Sequence, residues 1–273
     1  MELKSYAQIE ESVQEAELVL VGLGEEWQVS LEEMMEDTSF QEKMTQLQQI
    51  RTQEEVDYLF PFLAAEYDQT AIPKRLEQAY VNLKKLLDHK NYFIVSTTMD
   101  SYLEKYEFQK NRYVNPCGTF QLLQCGMECE DTLCKVEDRK EEIQELLNQA
   151  LQQDTKLQPL YCKTCNTELA YNTIFAEKYQ EKGYLPQWET YMKWLQGTVN
   201  KKLTVLELGV GMQFPSVIRW PFEKTVLYNQ KSTFFRIHKT LPMLSAEIAE
   251  RGYSRQEDAV TLLSTCKRDD SSL

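Results

Sequence analysis

Five short β-like runs recur between stretches of helical patterning: "AELVLVG" near 16–22, "NYFIVST" at 91–97, "RYVNP" at 112–116, "LTVLELG" at 203–209 and "STFFRIH" at 232–238. Continuous apolar runs without alternation suit strands buried on both faces, and such strands belong to a parallel sheet covered by helices on each side. In "IPKRLEQAYVNLKKLLDH", Leu76, Tyr80, Leu83 and Leu87 fall at spacings of three and four, which makes a stripe that packs on the sheet. The opening "MELKSYAQIEESVQEA" has the pattern of an amphipathic helix, and the glutamine-rich stretch from Met34 to Phe60 reads as helical, a lid-like insertion. The expected fold is α/β, a Rossmann-like parallel sheet.

With 273 residues, 42% of them hydrophobic and 11% aromatic, the chain can bury one large core. Only the terminal "KRDDSSL" is expected to stay unfolded. A formal charge of −13, from 43 acidic against 30 basic side chains with no visible basic cluster, excludes a nucleic-acid partner. No signal-like segment and no run of about 18 apolar residues occurs, so no membrane association is expected and the reading is a cytoplasmic protein.

Between Gln121 and Tyr171 the character changes, and a small inserted module is expected. Residues 1–120 and 200–273 then form the core, with 121–199 as the module and a helical segment. Four of the seven cysteines fall in two close pairs, Cys125 and Cys129 in "CGMEC" and Cys162 and Cys165 in "YCKTCN", on either side of the charged, helix-like "KVEDRKEEIQELLNQALQQ". Paired cysteines in a chain of this size point to metal rather than to a disulfide framework. Four thiolates in two tight knuckles suit a closed, tetrahedral, structural zinc site, without an open position for catalysis. Cys134 competes with Cys125 or Cys129 as the fourth ligand.

The first strand ends in "VGLGEEWQVS". A strand running into G-x-G usually opens a loop whose backbone N–H groups hold a phosphate at a helix start. Here Glu25 and Glu26 follow. A carboxylate about 5 Å from a phosphate at an effective dielectric of about 20 costs roughly 3 kcal/mol, or about two decades of affinity. Alternatively, both glutamates stand at a helix N-terminus, where negative side chains are favourable, and substitute for the phosphate.

These features together resemble the sirtuin family over most of the chain. "LELGVGMQFPSVIRWPFE" at 206–223 is similar to the second nucleotide-binding loop of sirtuins, most closely the bacterial branch that includes the macrodomain-linked ADP-ribosyltransferases. "STTMDSYLEKYEFQKNRYV" at 96–114 resembles the T-T-N-x-D segment and the helix after it, and "NPCGTFQLLQC" at 115–125 resembles the run from the catalytic residue into the zinc module. The resemblance implies cleavage of the nicotinamide–ribose bond of NAD. It implies cofactor contacts at Gly22, Gly24, Thr98, Asp100, Gly209, Val210, Gly211 and His238. The branch pattern G-x-G-A-G-x-S aligns with residues 22–28, where only the first two glycines persist.

Thr98 stands where the family has asparagine, and offers one hydroxyl in place of an amide. Asp100 matches the family's aspartate, and it can equally cap a helix beginning at Ser101. The position of the family's base, histidine or glutamine, is taken by Cys117, either a reactive thiol or a small packing residue. His89 lies at the wrong end of a strand, and His238 falls where the family places an asparagine against the adenosine ribose. The expectation is therefore a sirtuin-like protein with lost or strongly reduced NAD chemistry and doubtful NAD binding, retained as a binding or regulatory partner of another protein. The alternative is a divergent NAD-dependent ADP-ribosyl or deacyl transferase acting on a protein substrate.

Overall fold

The computed structural model of the chain describes residues 1–127, 129, 133–153 and 155–266. The terminal "KRDDSSL" lies outside the described residues. Among the described residues nine strands form two sheets: β1 (Leu18–Leu23), β2 (Tyr92–Ser96), β3 (Tyr113–Val114), β4 (Gly118–Cys125), β5 (Leu133–Lys135), β6 (Leu169–Thr173), β7 (Leu203–Leu208), β8 (Ser232–Ile237) and β9 (Gly252–Arg255). The larger is six-stranded and parallel throughout, in the order β3-β2-β1-β7-β8-β9. All five apolar runs named above become its strands. The sixth, β9, adds an edge that carries no apolar run.

Every residue of β1, β2 and β7 is buried, because helices cover both faces. Val19, Val21 and Leu23 point into one apolar cluster and Leu18 and Leu20 into another, the period-two alternation of a strand with two dry faces. The first cluster takes in α1 (Ala7–Glu15), α2 (Leu31–Glu36), α3 (Thr38–Ile50), α4 (Gln53–Thr70) and α5 (Lys74–Leu86). On α5 the expected stripe holds: Leu76, Tyr80, Leu83 and, just past its end, Leu87 are buried.

The Met34–Phe60 stretch is helical, and local capping explains its divisions. Ser30 with Glu33 and Thr52 with Glu55 form reciprocal capping boxes, while Asp37 accepts from Phe40 N to start α3. Met34, Phe40, Met44, Leu47, Val56 and Leu59 are all buried, so the segment is anchored in the main core.

After α6 (Tyr102–Lys105) the chain leaves the large sheet for a small antiparallel one, β5-β4-β6. Helix α7 (Lys140–Ala150) covers it with Ile143, Leu146, Leu147 and Ala150. Arg51 closes the end of α7 by donating to the carbonyls of Gln149, Ala150 and Gln152, and to that of Thr155, which satisfies acceptors that a helix C-terminus leaves free. The chain returns through α8 (Leu185–Gln196), then α9 (Arg219–Tyr228) and α10 (Ala259–Thr265). No described helix is long and apolar enough to cross a membrane.

Strand order reverses between β1 and β7. In doubly wound sheets a crevice opens at the carboxyl ends of the strands at such a point. The loop 24–28 follows β1 there and the loop 209–213 follows β7.

Candidate nucleotide crevice and metal centre

The two loops are in contact. A Cβ on Gly24 would lie 2.3 Å from both Gly209 O and Val210 Cα, and one on Gly22 would lie 2.5 Å from Ile218 Cγ2 and 2.9 Å from Phe222 Cε2. Both glycines are thus required for chain packing, whatever the crevice holds.

Glu25 and Glu26 lie in a single 3-10 turn, Glu25–Trp27. Their carboxylates do not serve the start of that turn, as the helix-start reading has it; they reach other elements. Glu25 crosses the crevice, where Oε2 accepts from Gly211 N at 2.5 Å and Oε1 from Gln213 N at 3.2 Å. Glu26 turns inward, where Oε1 accepts from Lys239 N at 2.9 Å and Oε2 from Ala259 N, the first residue of α10, at 2.7 Å. Burial raises the pKa of Glu26, and the two amide donors work against that rise. Gly209 has a left-handed φ of +65°, and a Cβ there would lie 2.6 Å from Glu26 Cβ; one on Gly211 would lie 3.0 Å from Glu25 Oε2. The space that glycines open in the second loop is therefore filled from within the chain.

Beneath the second loop lies a buried ion network. Glu207 accepts from Arg236 through both oxygens, at 2.5 and 2.9 Å, with Arg219 at 3.5 Å. Arg219 in turn donates to Val210 O at 2.8 Å and Leu241 O at 2.9 Å, so a buried guanidinium fixes the carbonyl side of this loop. His238 Nδ1 accepts from Thr240 N and Leu241 N, each at 3.0 Å. Burial, with Arg219 nearby, lowers its pKa, so the ring is neutral with Nδ1 as acceptor. His89 is 93% exposed beside Asp88, before β2.

Past β2, the buried Thr98 shares a hydroxyl contact of 2.9 Å with Ser96, and its carbonyl accepts from Asn115 Nδ2. Asp100 Oδ1 accepts from Tyr102 N at 3.0 Å, which is a cap for α6. Opposite stands Asp68 of α4, which the sequence reading passed over. It is 5% exposed, and its Oδ2 accepts from Ser101 N and Oγ at 3.0 and 2.6 Å. Asp68 Oδ1 and Asp100 Oδ2 are buried without a hydrogen-bond partner. Burial first, then the Asp68 charge, push Asp100 up to about 7, and Asp68 is raised by burial as well.

Cys117 is fully buried, and burial pushes its thiol up to about 12, with Glu25 adding to the rise. A thiol so far from ionised is no nucleophile at neutral pH. A cavity of about 320 Å³, bordered by Glu25, Met34, Phe60 and Tyr67, adjoins the crevice, and a second of about 530 Å³, bordered by β4 and Tyr184, lies beyond it. They share Asp68, Asp100 and Phe120 as a common wall.

Cys125 ends β4, and the Cys162–Cys165 knuckle precedes β6. The four sulfurs of Cys125, Cys129, Cys162 and Cys165 lie within 4.8 Å of one another, with Cys125–Cys165 at 3.2 Å and Cys129–Cys162 at 3.5 Å. Tetrahedral metal–sulfur bonds of about 2.3 Å place sulfurs about 3.8 Å apart, so the group could hold a metal ion. Cys134 stands outside it, beside Arg139.

No family model matches the chain. A protein of Staphylococcus aureus (strain Mu50 / ATCC 700699) named protein ADP-ribosyltransferase is 24% identical over 200 residues, which cover 71% of this chain. The match spans 62% of that protein's length. Among solved structures, a Sir2 homologue in complex with NAD aligns with a TM-score of 0.54 at 13% identity, over 96% of this chain and 93% of the other. A mutant Sir2 homologue bound to 2'-O-acetyl ADP-ribose aligns with a TM-score of 0.55 at 14% identity, over 94% of each chain. With the six-stranded parallel sheet and the four-cysteine cluster in place, the chain has a Sir2-like fold.

Proposed function

We propose that this chain has lost, or retains only strongly reduced, NAD-dependent transfer, and that it acts as a binding or regulatory partner of another protein. The observation that carries this reading is Glu25. Two backbone N–H groups of the second loop, at Gly211 and Gln213, already donate to its carboxylate. An entering pyrophosphate has to displace that carboxylate and then lie beside its charge. The proton acceptor is also missing. Cys117 is a buried neutral thiol, and the His238 Nδ1 lone pair is taken by two amides.

In this reading the four cysteines hold a structural zinc. It ties the end of β4 to the knuckle before β6 and supplies a cross-link rather than a Lewis acid, because all four positions are sulfur. Asp100 caps α6, and Gly22 and Gly24 serve loop packing.

A second reading, a divergent NAD-dependent protein ADP-ribosyltransferase or lysine deacylase, is favoured by the likeness to the staphylococcal protein and by the two cavities that meet at Asp100. Thermal unfolding with excess NAD and ADP-ribose separates the two, since a ligand of the folded state stabilises by RT ln(1 + [L]/Kd). The expected result is no shift for the wild type and a shift for Glu25→Ala, which frees both amides. A wild-type shift of several degrees together with nicotinamide release would overturn the proposal.

A further inference from the structure

Helix α8 carries a wider apolar arc than the molecule covers. Its inner side is accounted for: Tyr191 is buried with its ring 5.3 Å from that of Phe93 in β2, and Trp194 meets the same ring at 5.8 Å. Beside that side, Leu185, Trp188, Met192, Leu195 and Val199 follow one another at spacings of three, four, three and four, the stripe that packs one helix on another. Gly197 keeps helical angles, φ −70° and ψ −9°, so Val199 prolongs the stripe past the end of the helix. Trp188 and Leu195 are half-buried against the second apolar cluster. Leu185 and Met192 are exposed, and Val199 is 67% exposed, so no described element closes over them.

The neighbouring helix leaves that stripe open. Helix α8 lies against β3 and α9 against β7 and β8, with β2 and β1 between those strands. Both helices pack on the same cluster, through Tyr191 and through Phe222 and Val226, so they stand apart on one face of the sheet. At one end of the gap, Asn229 donates to the carbonyls of Thr198 and Lys201 at 3.0 and 3.1 Å, which sets the adjoining Tyr228 near Val199. Tyr228 is 80% exposed. Single exposed apolar side chains are ordinary, but Leu185, Met192, Val199 and Tyr228 along one seam mark a contact surface. None of the four borders either cavity.

The charges beside the stripe select the occupant. Glu189 and Lys193 are exposed on its outer flank, and neither joins a described ion pair. Met192 is the midpoint of the stripe. If two copies of α8 pack antiparallel about a two-fold axis at Met192, Leu185 of each faces Val199 of the other. The same axis brings Glu189 of each copy alongside Lys193 of the other, which makes two unlike-charge pairs from one contact. A chain of formal charge −13 repels its copy over most of its surface, and a seam of balanced charge is where two copies meet.

We propose that the α8 stripe, with Tyr228 at its end, is a two-fold interface on which a second copy of this chain lays its own α8 antiparallel. The inference goes beyond the reading of the crevice and does not rest on it. One helix and one flanking ring from each copy make an interface at the small end of the stable range, so association in the micromolar range is expected.

Sedimentation equilibrium of the full-length, metal-loaded protein from about 1 to about 200 μM tests this. The weight-average mass is expected to rise from 32.1 kDa towards twice that value. Met192→Lys sets two like charges at the axis and should weaken association at least tenfold, as should Glu189→Lys, whereas Glu189→Lys combined with Lys193→Glu should restore it. Leu31→Ser, at an exposed apolar side chain on α2, should leave it unchanged. If Met192→Lys does not fold, the charge reversals carry the test. A mass fixed at one chain over the whole range would overturn the proposal and leave the seam to a helix of another protein. A dimer indifferent to Met192→Lys would place the contact elsewhere, and one weakened by Glu189→Lys without recovery in the double variant would refute the antiparallel geometry; either result overturns the proposal.

Discussion

Glu25 and Glu26 are adjacent in sequence but serve different structures, and their substitution should show it. Glu26 is buried and satisfies the amides of Lys239 and Ala259. Glu26→Ala leaves the buried Ala259 amide and the part-buried Lys239 amide unpaired, so we expect a loss of about 1–3 kcal/mol in urea unfolding. Glu25 bonds at the mouth of the crevice, and Glu25→Ala should cost less than about 1 kcal/mol. A larger loss for Glu25→Ala than for Glu26→Ala would contradict the assignment. Asp100 gives a pH test. Folded, it keeps its proton up to about 7, while an unfolded aspartate releases it near 3.9. The folded state therefore holds more protons across this window, and this group's stabilisation falls as pH rises from about 4 to 7 and then levels. Relative to Asp100→Asn, the wild type should lose on the order of 4 kcal/mol over that range, and parallel pH profiles would refute the shift. The sequence made the two glutamates conspicuous but not their targets, because Glu25 meets residues 186 and 188 positions away. Asp68 was legible in principle: it follows Ala64 by four residues on the buried side of α4, where a carboxylate interrupts an apolar stripe.

Among the elements, the strands buried on both faces were readable because they run as nearly continuous apolar stretches, broken by charge only where a buried partner answers it, as Arg236 of β8 answers Glu207 of β7. The edge strand β9 was not, since three of its four residues are only half-buried and its pairing with β8 is a tertiary event. In β4 four of eight residues are half-buried and its pairing with β6 shifts register between Gly118 and Leu123, so no clean period marks it. Glycines show the same division between local and tertiary causes. Gly24 has an ordinary extended backbone, yet a Cβ would collide with the backbone of the loop after β7 at 2.3 Å. Gly24→Ala should then destabilise by about 2–3 kcal/mol or more, as overpacking against atoms that cannot rotate away does. Gly126, whose nearest neighbours to a Cβ are at 3.4 and 3.7 Å, should accept alanine within about 0.5 kcal/mol. Equal midpoints for the two variants in guanidinium unfolding would show that the loops do not touch as described.

Across the whole molecule, the four-cysteine cluster and the crevice at the ends of β1 and β7 are joined through one apolar mass. Cys125, Cys162, Leu123 and Leu169 from the small sheet share a cluster with Leu59 and Phe62 of α4 and with Val21 and Leu206 of the large sheet. The rings of Phe62 and Tyr171 meet at 4.9 Å across that boundary, and Phe120 and Tyr171 at 5.3 Å. Among the described residues the small sheet has three strands, of which β5 contributes three residues, and it stands by packing on α7 and the main core rather than alone. A metal ion held by the four thiolates would add a cross-link to it, and its binding energy would become folding energy. Metal analysis of protein purified under reducing conditions should therefore give about one zinc per chain. On chelation, amides of β4 and β6 should lose exchange protection first, and those of α4 should follow through Phe62 and Leu59. The interior strands β1 and β7, paired on both sides in the parallel sheet, should keep theirs. Simultaneous loss in both sheets would mean that the ion holds up the whole fold, and unchanged protection in β4 would remove it from the structure altogether.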